Sequence, residues 1–125
     1  MLGSSTAARD PLLAISNRMV RLYKEAFGRG PRRARTSFAG DSALVVVLER
    51  TLTVAERNLV GLGAAQQLRE TRLFTQSALE PEARLIVEEL LGRRTTAFVT
   101  GVDPQRDVAM QFFLLGSRAD LPGSG

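Results

Sequence analysis

The sequence predicts an α+β fold with elements in the order αββααββ: a four-stranded, largely antiparallel sheet with helices packed on it. Three observations carry this. Residues 44–48, Leu-Val-Val-Val-Leu, are an unbroken β-branched run of the kind found in central strands. Residues 108–115 alternate cleanly, with Val108, Met110, Phe112 and Leu114 on one face and Ala109, Gln111, Phe113 and Leu115 on the other. Between these two stretches, Ala83, Ile86, Val87, Leu90 and Leu91 form an apolar helical stripe.

Each element has a local reason. Residues 1–9 are small and polar and are expected to be disordered, as is the tail 117–125, which leaves a single domain over 10–116. Asp10-Pro11 is a helix start, Asp as N-cap and Pro at the first helical position. Leu12, Ile15, Met19, Leu22, Tyr23 and Ala26 then share a helical face, Gly28 ends the helix, and Gly30-Pro31 prevents its resumption. Residues 32–39 read as a short strand, with Ala34, Thr36 and Phe38 on one face and Arg33, Arg35 and Ser37 on the other. Gly40-Asp41-Ser42 is a turn, so this strand forms a hairpin with the 44–48 strand, which is expected to be buried on both faces.

Thr53-Val54-Ala55-Glu56 is a capping box opening a helix of about two turns that ends near Gly61. Residues 64–92 read as one long helix, kinked or restarted near Pro81 and stopped by Gly92; its apolar phase is diffuse before Pro81. Residues 95–100 form a third strand, 102–106 a turn, and 108–115 the fourth strand. The second face of that strand is also apolar, and apolar residues lie on several sides of the long helix. Both features predict a covering subunit and hence a homodimer.

Composition narrows the chemistry. The 125 residues include no cysteine and no histidine. Imidazole general bases, Ser-His-Asp triads, thiolate nucleophiles, Cys/His zinc sites and disulfides are therefore excluded. No cofactor and no metal is expected. Apolar residues make up 44%, with six Phe, one Tyr and no Trp, so the core must be aliphatic. No apolar run approaches the ~20 residues of a membrane-spanning helix. A cytoplasmic protein is expected. Sixteen of the 17 basic residues are arginine, spread from Arg9 to Arg118, which fits a general preference for Arg over Lys better than a single binding site.

The densest chemical feature is Gly28-Arg29-Gly30-Pro31-Arg32-Arg33-Ala34-Arg35. Arg29, Arg32, Arg33 and Arg35 around a Gly/Pro turn read equally as an anion or partner site and as a solvated strand edge whose charges block pairing. Arg33 and Arg35 project together. Arg69 and Arg72, three residues apart on the long helix, extend the patch if that helix crosses the first strand; otherwise they are an ordinary helix surface. Gly28-x-Gly30 lacks the strand-before, helix-after setting of a dinucleotide loop. Asp103 and Asp107 read as turn capping and strand entry, with no third ligand in view.

Several stretches together resemble the MpsC-like family. They are Ile15-Ser16-Asn17 through Val20-Arg21-Leu22-Tyr23-Lys24, Phe27-Gly28-Arg29-Gly30-Pro31, and Ala34-Arg35-Thr36; then Val45-Val46-Val47-Leu48-Glu49 with Leu52-Thr53-x-x-Glu56-Arg57, Leu68-Arg69-x-x-Arg72, and Leu91-Gly92-Arg93 before Ala97-Phe98. The resemblance covers about residues 10–116. It implies a component of a sodium-translocating, membrane-potential-generating system, in peripheral contact with a membrane transport complex, and it supplies no catalytic residues. The first expectation is thus a non-catalytic accessory or regulatory protein working through protein contacts. The alternative is a binder of a phosphate-bearing ligand or nucleic acid through the basic residues at 29–35; the absence of aromatic residues near them speaks against base stacking. An enzyme working through carboxylates and arginine comes third.

Overall fold

The computed structural model describes residues 10–117, so the expectations for 1–9 and for 118–125 lie outside the described residues. Helix α1 (Pro11–Phe27) leads to the hairpin β1 (Arg33–Phe38) and β2 (Ala43–Glu49). Three helices follow, α2 (Val54–Gly61), α3 (Ala65–Ala78) and α4 (Glu80–Leu91), and then a second hairpin, β3 (Thr95–Asp103) and β4 (Val108–Leu115). The four strands make one antiparallel sheet in the order β1-β2-β4-β3, so the two hairpins meet along β2 and β4. The fold class is the one expected. Of the kink or restart expected near Pro81, the structure shows the restart: the chain turns at Leu79 and a second helix begins at Glu80 with Pro81 in its first turn. The third strand runs to Asp103, beyond its expected end at 100, and the turn shifts to 104–107.

The caps follow the chemistry of the sequence. Leu13 N–H donates to Asp10 Oδ1 at the start of α1. Gly28 closes that helix at φ 80°, a left-handed conformation that glycine adopts without strain. Gly30 is held by space rather than by dihedral: a Cβ there would sit 3.0 Å from the Val20 carbonyl oxygen. The turn that separates Arg29 from Arg32 is therefore shaped by α1 itself. The capping box at Thr53 and Glu56 is formed in both directions.

One face of the sheet carries the core. Ile15, Met19 and Tyr23 of α1 and Ala83, Ile86 and Val87 of α4 pack on Leu44, Val46, Leu48, Ala109, Phe113 and Leu115. The expectation that β2 is buried on both faces is corrected here: Val45 and Val47 are only half-buried, because the helices pack on a single side of the sheet. Tyr23 lies fully inside, and burial pushes its phenol up to about 12, with Thr100 and Arg72 pulling the other way, so it stays protonated at neutral pH.

Helix α3 explains its own diffuse pattern. Its inward stripe is Leu68, Arg72 and Gln76, two polar residues and one apolar. Gln76 Nε2 donates to Thr100 Oγ1 at 2.8 Å and to the Gly101 carbonyl at 3.2 Å. Arg72 is 1% exposed. Its Nε donates to Glu56 Oε2 at 2.8 Å, one Nη donates to Glu56 Oε1 and to the Thr51 carbonyl, and its guanidinium lies 3.7 Å above the Phe27 ring. Burial alone would raise the Glu56 carboxyl. The Arg72 hydrogen bond, the Thr53 N–H and the Arg72 charge outweigh it and hold that carboxyl below its ordinary value.

Two predictions follow from this pair. Arg72→Met strands a partly buried carboxylate and should cost about 3 kcal/mol in urea unfolding; adding Glu56→Gln, which keeps the capping-box geometry without the charge, should recover part of that loss. Because the folded-state pKa of Glu56 is lowered, its stabilisation is present above the unfolded value of 4.5 and disappears as pH falls through the folded value. Unfolding midpoints measured from pH 6 down to about pH 3 should therefore fall in the wild type and fall less steeply in Glu56→Gln.

Candidate functional site

The basic residues singled out at 29–35 divide among different contacts. Arg29 donates to the Leu52 carbonyl and ties the turn after α1 to the loop after β2. Arg35 and Arg33 stand on the side of β1 away from the helices, 3.9 and 3.7 Å from the two oxygens of Glu49. Arg32 enters the sheet with its N–H on the Glu49 carbonyl, at 3.0 Å. Arg69, on α3, has its Nε on the Val102 carbonyl at 3.2 Å. Arg72 is the buried partner of Glu56, a core residue and not part of a helix surface.

These contacts give arginine a structural role along the chain. Arg29, Arg69, Arg72, Arg84 and Arg93 each donate to a backbone carbonyl at or near an element boundary: Leu52, Val102, Thr51, Thr95 and both Gly116 and Asp41. A planar group with five donors can hold a carbonyl and a side chain together; an ammonium does so with less directional control. Arg84 does this at Thr95, taking both its Oγ1 and its carbonyl, while Glu88 accepts from the same residue's N–H and hydroxyl.

What does gather is at one end of the sheet. A cleft of about 570 Å³ is lined by Arg32, Arg33, Glu49, Arg50, Arg106 and Asp107. It unites the start of β1, the end of β2 and the β3–β4 turn. Its floor is built by Asp107, whose Oδ1 accepts from Thr51 N–H at 2.7 Å and Leu52 N–H at 3.1 Å, and whose carbonyl accepts from Arg50 N–H at 2.9 Å. Arg50 and Asp107 are both left-handed, at φ 57° and 55°, and are the two non-glycine residues with positive φ among the described residues. A smaller cleft of about 300 Å³, containing Arg69, Asp103 and Arg106, lies next to it and shares Arg106. Asp103 caps its turn as expected, accepting from the N–H groups of Gln105 and Arg106. The Arg106 N–H does most to hold its carboxyl below the ordinary value.

Arg50 and Arg106 escaped the sequence reading. Arg106 sits inside turn chemistry and carries no periodic signal. Arg50 was legible in principle: a hairpin turning about Asp41 pairs Arg33 with Glu49, which sets Arg32 across from Arg50.

The sheet has a second surface of interest, its uncovered face. The register places Val45, Val47, Val99, Met110 and Phe112 there together. They are half-buried or exposed, Val99 to 55%, and no described helix packs on them. Arg33, Arg35 and Glu49 border this strip along the β1 side.

A family model described as "Na+-translocating membrane potential-generating system (MpsC)" matches residues 12–117. No curated protein and no solved structure matches the chain.

The Asp107 geometry yields a direct test. Asp107→Ala leaves two inward N–H groups without their acceptor in a left-handed position that alanine dislikes, and should cost about 1–3 kcal/mol. Asp107→Asn keeps one oxygen acceptor and tolerates the backbone, so its urea midpoint should lie nearer the wild type.

Proposed function

We propose that this chain, which belongs to the MpsC family, is a non-catalytic accessory protein of a Na+-translocating, membrane potential-generating system and works through protein contacts at the inner face of the membrane. The observation that supports this reading is the uncovered sheet face. Valines, Met110 and Phe112 form a continuous apolar strip across β2, β4 and β3, bordered by Arg33, Arg35 and Glu49. Contiguous apolar surface rimmed by charge is the usual form of a protein-docking face. In this reading a second copy of the chain covers the strip, and the pair presents its helical sides to the membrane partner. Phe74, 80% exposed on α3, is an apolar contact available there.

Light scattering on the eluting peak of a sizing column should give twice the chain mass at micromolar concentration, and Phe112→Asp should halve it with little change in thermal stability. Affinity capture of the wild type from solubilised native membranes should bring down an integral membrane transport subunit that Phe112→Asp recovers less well. A monomeric wild type would remove the dimer; capture without any membrane subunit would remove the accessory role.

A further inference from the structure

The docking reading leaves the basic cleft without a use. We propose that the cleft between β1, β2 and the β3–β4 turn is a binding site for phosphate groups, holding a small ligand that carries at least two negative charges through Arg32, Arg33, Arg50 and Arg106. The proposal goes beyond the docking reading and does not depend on it.

Charge is the first argument. Four arginines line a space shared with two acidic residues. One of these, Asp107, spends Oδ1 on the N–H groups of Thr51 and Leu52. The other, Glu49, stands 3.7 Å from Arg33, beyond hydrogen-bond distance. Arg106 has a partner in Asp103 at 3.2 Å, in a pair that is open to solvent. The guanidinium groups of Arg32 and Arg50 make no hydrogen bond or ion pair with the described residues. Two free planar forks beside two weakly engaged ones suit a multiply charged anion with several acceptor oxygens, which is the chemistry of phosphate. The volume, about 570 Å³, falls in the range of small-molecule sites. The lining includes no aromatic ring, so recognition is of the anionic groups and not of a stacked base.

Backbone conformation is the second argument. Arg50 is left-handed, where glycine is relaxed and a long side chain is strained. Its own N–H is already satisfied by Asp107, and a glycine there would keep that bond. Stability therefore favours glycine at this position, whereas the arginine places a cation over the cleft. A ligand that needs the cation explains both the residue and the strain.

The experiment uses the full chain and inorganic pyrophosphate as probe, with calorimetry and thermal melts at low and moderate salt. The wild type should bind and melt several degrees higher with pyrophosphate, and lose affinity as salt rises. Arg50→Gly should melt without ligand at or above the wild-type temperature yet bind at least tenfold more weakly; Arg32→Ala with Arg50→Gly should abolish the shift. Arg21→Ala with Arg57→Ala, which removes as much charge outside the cleft, should leave binding intact. Vesicles of cardiolipin, whose headgroup carries two phosphates, and of phosphatidylcholine separate the sources. Loss of cardiolipin binding in the cleft double variant points to a lipid headgroup, and pyrophosphate binding without vesicle binding points to a soluble phosphate compound. The proposal is overturned if the wild type shows no response to pyrophosphate or vesicles, if the cleft double variant responds as the wild type does, if the Arg21/Arg57 control loses as much, or if duplex DNA binds while pyrophosphate does not.

Discussion

A guanidinium with almost no access to water organises this protein. Arg72 is enclosed by the Phe27 ring, the Glu56 carboxylate and the Thr51 carbonyl, and these come from the end of α1, the first turn of α2 and the loop that leaves β2. An uncompensated charge at that depth would be prohibitive, so the three segments have to converge on it. Glu56 does double duty, since the oxygen that receives Arg72 also closes the α2 capping box. The start of α2, the seat of α3 and the end of α1 are thereby set by one side chain. The residues that carry the family resemblance become intelligible in these terms. Phe27 stacks on Arg72, Gly28 ends the helix behind it, Arg29 holds Leu52, and Glu56 and Arg72 are the pair itself. Part of the resemblance is thus written in the junction of the scaffold.

Where the sequence was easy to read, apolar periodicity and local chemistry agreed. The α1 stripe, the hairpin about Asp41, the capping box and the two faces of β4 were all legible from spacing alone. Reading failed where the interior is polar. The inward face of α3 is Leu68, Arg72 and Gln76, so a search for apolar phase finds none, and Arg72 looks like surface. The same difficulty spread to the site. Six arginines were grouped by proximity in sequence or on a helix, but side chains that bind carbonyls through the fold cannot be told from free ones without knowing where the carbonyls lie. Arg29, Arg69 and Arg72 belong to the first kind. Arg32 and Arg33 meet Arg50 and Arg106 only because the open end of the first hairpin and the turn of the second lie at the same end of the sheet.

The layer arrangement accounts for the rest of the surface. Helices α1, α3 and α4 on a single side leave a sheet with one dry face and one face still half wet, and an antiparallel sheet tolerates that only when its outer residues are polar or covered. Here they are Val45, Val47, Val99, Met110 and Phe112.

The line where β2 meets β4 has a kinetic meaning as well. Each hairpin closes locally, through the turn at Asp41 or the turn at 104–107, whereas β2 and β4 come together only after everything between them has been brought round. Contacts so distant along the chain pay their loop-closure entropy before they return any burial, and such contacts slow folding. Asp107 reaches across that line to Thr51 and Leu52, so the clasp that shapes the basic cleft also locks the two halves together once they have found each other. The seam between the hairpins is the sheet pairing most distant along the chain, and the cleft requires it, because its lining comes from both hairpins.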